Sequence, residues 1–222
     1  MSESLVSVPA GRVALEGALE RPGRAAGIVV FSHGSGSGRH SPRNQFVAAE
    51  LRRSGLATLL LDLLTPEEDQ EYETRFDIDL LAERLAHAVR FVRGHAQTRA
   101  LPVGLFGAST GAASALRVAA SMPEAVRAVV SRGGRPDLTG DALLAKVHAP
   151  TLLIVGGRDH GVIELNESAR DALVHCEREV AIVPGATHLF GEEGALQKAA
   201  QLATRWFEHH LAPVPARNGR GG

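Results

Sequence analysis

The chain has 222 residues, 44% of them hydrophobic, enough to bury one sizeable core and with no shift in composition that would mark a second domain. A formal net charge of −1 with no block of like charges argues against nucleic acid and against a membrane surface as partners, and leaves a small molecule as the expected one. Cys176 is the sole cysteine, which excludes an internal disulfide and a thiolate zinc cluster, and residues 1–9 lack a basic stretch followed by an apolar one, so the expected compartment is the cytoplasm.

In chain order, Val13, Leu15 and Leu19 alternate with polar residues from Arg12 to Glu20, which predicts an antiparallel edge strand ahead of a parallel sheet. Short apolar runs at Ile28–Ser32, Ala57–Leu61, Leu101–Phe106, Val126–Ser131, Thr151–Val155 and Val180–Val183 predict strands buried on both faces. Helical spacing covers Asn44–Ser54, Asp77–Arg93, Ser109–Ser121, Leu138–Val147, Gly161–His175 and Glu192–Leu211. Strand and helix therefore alternate, an α/β pattern with a mostly parallel sheet flanked by helices on both faces and linkers too short for a large cap domain. Residues 1–212 are expected to form a single domain and residues 213–222 a disordered tail. Monomer and homodimer are both compatible with the pattern.

Four short motifs fall at the ends of these predicted strands. Ile28–Ser32 runs into His33-Gly34-Ser35-Gly36, where a backbone N–H could serve an oxyanion. Leu101–Phe106 runs into Gly107-Ala108-Ser109-Thr110-Gly111 and then a helix, the strand–turn–helix setting of a nucleophile elbow, in which small flanking residues let a strained serine project into a site. Thr151–Val155 ends in Gly156-Gly157-Arg158-Asp159, and Val180–Val183 leads to Gly185-Ala186-Thr187-His188. Serine, acid and histidine thus follow in the chain order of one hydrolase architecture, with acid and base at the carboxyl ends of neighbouring strands, where ligands collect in parallel sheets.

These four segments resemble the α/β-hydrolases, and specifically their dienelactone-hydrolase-like branch, over roughly residues 25–210. The stretch His33-Gly34-Ser35-Gly36-Ser37-Gly38-Arg39-His40-Ser41-Pro42-Arg43-Asn44 is similar to a subgroup sometimes found fused to phosphoribosyltransferases. Dienelactone hydrolases proper use a cysteine nucleophile, whereas this elbow carries serine, which points away from dienelactone and toward ester hydrolysis. The resemblance implies an α/β-hydrolase fold and a serine hydrolase acting on carboxylic esters of small or short-acyl substrates.

Serine is a weak nucleophile until an adjacent base takes its proton. Ser109 is the candidate nucleophile, His188 the base, and Asp159 the acid that fixes the imidazole tautomer. Asp137, after the preceding strand, competes with Asp159, which the tight Gly156-Gly157 turn favours. The backbone N–H groups of Ser35 and Thr110 are the expected oxyanion donors, each worth about 3–4 kcal/mol of barrier. Arg132, Arg39 and His33 are the candidate substrate-binding residues, with His33 expected to shape its loop by hydrogen bonding rather than transfer protons. Arg43, Arg75 and Arg135 also sit on loops after strands, and a solvated surface role competes with anion binding for every one of these arginines. No dinucleotide or phosphate-binding glycine motif and no metal-ligand spacing is present, so neither cofactor nor metal is expected. Acyl transfer to another acceptor, lactone or thioester cleavage, and a non-catalytic binding module on the same fold are the rival readings.

Overall fold

The computed structural model describes residues 2–212; the expected tail at 213–222 lies outside them. Ser2–Ala10 and Val13–Arg21 form strands β1 and β2, an antiparallel hairpin closed by Gly11 at φ 66°. Only β2 is expected from sequence. Pro9 disguises β1, yet a proline without an N–H to donate is tolerated where β1 lies, on the sheet edge.

The remaining strands are Ile28–Ser32 (β3), Ala57–Leu61 (β4), Val103–Ala108 (β5), Val126–Arg132 (β6), Thr151–Gly156 (β7) and Arg178–Val183 (β8). One sheet runs in the order β1-β2-β4-β3-β5-β6-β7-β8, parallel from β4 onward. The helices are Pro42–Arg53 (α1), Ile78–Gly94 (α2), Thr110–Ser121 (α3), Asp141–Leu144 (α4), His160–Ala172 (α5) and Ala195–His210 (α6). The predicted helix over Leu138–Val147 is instead a 3-10 turn at Pro136–Thr139 followed by α4, because Gly140 between them takes φ 85°.

Alternate residues of each central strand serve two cores. Ile28, Val30, Leu105 and Val129 pack with Leu81 and Leu85 of α2 and Leu116 of α3. Val29, Phe31, Phe106 and Val130 pack with Val47 and Leu51 of α1 and with Ala199, Ala203 and Phe207 of α6. This period of two explains why the central strands are mostly apolar on both faces: both faces lie under helices. Among the described residues no helix is long and apolar enough to cross a membrane, and no cap stands over the carboxyl ends of the strands, where the loops after β3, β5, β6, β7 and β8 converge.

That convergence depends on the absence of a side chain at Gly111. A Cβ there would drive into the Ser32 and His33 carbonyl oxygens, so only glycine lets the start of α3 pass against the end of β3. Gly111→Ala is expected to lower the unfolding free energy by about 1–3 kcal/mol, measured by chemical denaturation. Gly161→Ala is the control, since nothing lies within 4 Å of a Cβ at Gly161, and it should leave stability unchanged or slightly raised.

Candidate active site

Ser109 stands alone between β5 and α3 with φ 52° and ψ −123°. Among the described residues it shares positive φ only with Phe190 and several glycines, and such a conformation costs of order 1–3 kcal/mol at a residue bearing a Cβ. The turn is held from several sides. Ser109 N–H donates to the Arg132 carbonyl at 3.3 Å, and the Ser109 carbonyl accepts from the N–H groups of Ala112 and Arg135, each at 3.1 Å. Gly107 allows the return of the chain, since a Cβ there would lie 2.5 Å from Ala112 Cα.

The acid and histidine loops are joined through their backbones. Gly157 N–H donates to Val183 O and Arg158 N–H to Ala186 O, both at 2.9 Å, and a Cβ on Gly156 would meet Ala186 O at 2.5 Å. These contacts bring Asp159 Oδ2 to 2.6 Å from His188 Nδ1. A carboxylate can only accept, so Nδ1 carries the proton and Nε2 is left as the basic nitrogen. Asp159 is the more sheltered partner, its side chain 16% exposed against 38% for His188. Asp137 is not part of this pair: Arg135 grips it with two hydrogen bonds of 2.9 and 2.7 Å.

Two residues that the sequence did not single out hold the histidine loop. Glu192 accepts the Thr187 N–H at 3.0 Å, and hydrogen bonding from the Thr187 side chain first and its backbone second keeps the Glu192 carboxyl below the usual carboxylate range. Phe190, at φ 54°, buries its ring two residues beyond His188. No local pattern marks either one, since each acts through a bend in the chain rather than through periodicity.

On the other side of Ser109, Gly34 passes so close that a Cβ would lie 3.0 Å from Ser109 Cβ. Thr110, the first residue of α3, has an N–H with no acceptor among the described residues. The Ser35 N–H, expected as a free donor, is bonded to Thr110 Oγ1 at 3.0 Å. The threonine side chain therefore ties together the two segments whose amides were expected to act as a pair.

The candidate substrate-binding residues separate sharply. His33 is buried, with Nδ1 on the Gly34 carbonyl and Nε2 accepting the Leu63 N–H, both at 2.9 Å, and burial holds its pKa below the ordinary histidine value. It braces the loop, and both ring nitrogens are occupied, so it is not available to a substrate. Arg39 departs from its expected role: its guanidinium is neutralised by Asp62 and by Glu16, the latter at 2.6 Å. The reason is that β2 and β4 place two carboxylates beside the loop, a pairing between distant segments. Arg75 is likewise held by Asp69.

Arg132 and Arg43 are different. Both line a cavity of about 110 Å³ that contains Ser109 and His188, together with Gly34, Ser41 and Asn44. Arg132 is only 7% exposed and its Nε and Nη1 find no partner; Nε of Arg43 is also buried and unpaired. The Arg132 guanidinium sits 5.8 Å from the Phe190 ring centroid. Burial, and after it the like charge of Arg43, lower the Arg132 pKa to about 10, so the group stays cationic at neutral pH. A groove of mixed polarity of about 800 Å³ that includes Ser35, Ser37 and Arg43 and a more apolar hollow of about 450 Å³ that includes Phe46, Leu189 and Arg43 flank this cavity. Among the described residues no cluster of three or more His, Cys, Asp or Glu side chains could hold a metal ion.

Residues 15–211 match the sequence pattern of the Dienelactone hydrolase family. A protein of Mycobacterium tuberculosis named as a phosphoribosyl transferase is 55% identical over 212 residues, covering 95% of this chain and 47% of its own length, so the chain spans about half of that curated relative. The crystal structure of dienelactone hydrolase from Anabaena variabilis is 54% identical, covers 95% of this chain and 98% of its own, and superposes with a TM-score of 0.91. An α/β serine hydrolase without a lid from Xanthomonas campestris shares the fold at 19% identity, with a TM-score of 0.76 and coverage of 96% and 97%.

Arg132 supplies a direct stability test. Replacing a buried unpaired charge by an apolar side chain of similar length removes a desolvation penalty, so Arg132→Met should raise the unfolding free energy by about 1–4 kcal/mol. Denaturant midpoints at unchanged slope measure this. A loss of stability would mean that the contact with Phe190 outweighs desolvation.

Proposed function

From the premise that the chain belongs to the dienelactone hydrolase family, we propose that it is a serine hydrolase cleaving carboxylic esters of small or short-acyl substrates. The observation that carries this reading is the 2.6 Å Asp159–His188 hydrogen bond beside a strained serine in the same cavity. The cavity is small at about 110 Å³ and no cap covers it among the described residues, which favours compact substrates with their remainder in the flanking grooves.

In this mechanism His188 Nε2 takes the Ser109 proton as Oγ attacks the ester carbonyl, and the Asp159 carboxylate stabilises the imidazolium that forms. The Thr110 N–H faces the developing oxyanion. The Ser35 N–H joins it by sharing or leaving its bond to Thr110 Oγ1, at little loss because one acceptor replaces another. Collapse breaks the bond to the alkoxy oxygen, which leaves as the alcohol with the proton from His188. Water, deprotonated by His188, then attacks the acyl-Ser109 ester, releasing the carboxylic acid and returning the serine hydroxyl.

The test is a panel of esters of graded acyl length assayed with three variants. Ser109→Ala should reduce kcat by at least about a thousandfold with circular dichroism unchanged. Asp159→Asn should reduce it by about 10³–10⁴-fold through the wrong tautomer, while Asp137→Asn, which loses only its pair with Arg135, should stay within a few-fold of the unaltered protein. Retention of a tenth of the activity by Ser109→Ala rejects the nucleophile, and a reversed order of the two Asn variants rejects Asp159.

A further inference from the structure

The cavity that holds Ser109 carries two positive charges and no internal answer to them. Arg132 and Arg43 both line it, no aspartate or glutamate does, and neither guanidinium has a hydrogen-bond or carboxylate partner among the described residues. A buried cation without a counterion is costly, and a protein of this size has 25 acidic residues from which a partner could have been drawn. Other arginines near the site show that alternative: Arg39, Arg75 and Arg135 are each paired with a carboxylate.

The amino end of α1 points the same way. Its N-cap is Ser41, its first turn contains no acidic residue, and Ser41, Arg43 and Asn44 all belong to the cavity wall. Pro42 has no N–H, the Asn44 N–H is capped by Ser41 Oγ and the Gln45 N–H by the Ser41 carbonyl, so an anion there would meet the Arg43 N–H and the positive end of the helix dipole.

We infer that this cavity is an anion subsite and that the ester cleaved at Ser109 carries a phosphate monoester, held by Arg132, Arg43 and the amino end of α1. This deepens the ester-hydrolase reading and rests on it for the scissile bond, but not for the binding of the anion. Two guanidiniums that face no acid leave two charges. A phosphate dianion offsets both, whereas a carboxylate offsets one. Its three terminal oxygens also supply acceptors for the forked donors of both arginines and for a backbone N–H of α1.

Binding is tested first where turnover plays no part, by titrating inorganic phosphate into the Ser109→Ala protein in a calorimeter. Phosphate should bind in the millimolar range or tighter, and adding Arg132→Gln or Arg43→Gln should weaken it by about tenfold or more. Arg43 is half-buried and its replacement guards against a misfolded Arg132 variant, with thermal melts recorded for each. Turnover is then measured on matched acetate esters, 2-acetoxyethyl phosphate, 3-acetoxypropanoate and propyl acetate, and on a second series with the anion on the acyl side. In one series kcat/KM should favour phosphate over the neutral ester by roughly tenfold to hundredfold, with the carboxylate between them, and Arg132→Gln should shrink that ratio by about tenfold.

Absence of phosphate binding together with equal kcat/KM across both series overturns the inference, as does a carboxylate preferred to phosphate. An unchanged ratio in Arg132→Gln, with all esters slowed alike, also overturns it and makes Arg132 a partner of the oxyanion instead. Arginine-dependent phosphate binding without turnover of any ester would uphold the subsite while rejecting ester hydrolysis.

Discussion

Everything at the carboxyl end of the sheet depends on a steric constraint, the close approach of α3 to β3 past Gly111. With no Cβ in the way, the carbonyls of Ser32 and His33 lie against the start of the helix. Gly34 then runs beside Ser109, and Ser35 reaches the Thr110 hydroxyl at 3.0 Å. The positive φ of Ser109 follows from the same geometry, because the chain must turn from strand to helix within one residue. The strain is affordable only because Gly107 and the bonds from Arg135 and Ala112 leave the turn no other conformation.

A second close approach, at Gly156, does the same for the acid and the base. The loops after β7 and β8 are laced by two backbone hydrogen bonds before any side chain is considered. The Asp159–His188 bond is therefore positioned by main chain, which is stiffer than a pair of long side chains meeting across a gap. Phe190 and Glu192 add to this from the far side of the histidine, one by burial and the other by accepting the Thr187 N–H.

Charge divides the surroundings of Ser109 into two regions. Toward β2 and β4, Arg39 is compensated by Glu16 and Asp62, and His33 is neutral and fully bonded. Toward β6 and α1, Arg132 and Arg43 are uncompensated. The first region behaves as a rigid wall, since its polar groups satisfy one another. The second retains polar capacity that the fold does not use, at the expense of stability, which is the usual relation between a binding surface and the core that supports it.

The alternation of apolar runs with helical stretches determined the α/β architecture from the sequence alone, because a strand covered on both faces is apolar at most positions and a helix on one face at every third or fourth. The nucleophile elbow and the Gly156–Asp159 and Gly185–His188 loops were legible for the same reason: each is a local conformation that demands glycine or a small residue at a fixed spacing. Strand β1 was hidden by Pro9, and the break at Gly140 by an otherwise helical pattern, since both depend on what lies beside them. Only the tertiary structure decided which aspartate meets His188, that Arg39 is neutralised, that the Ser35 N–H is already bonded, and that Arg132 and Arg43 are left unpaired. Hydrophobic periodicity and turn chemistry are properties of neighbouring residues, whereas the partner of a charge or of a lone N–H is chosen among segments dozens of residues apart, and those meet only once the sheet has formed.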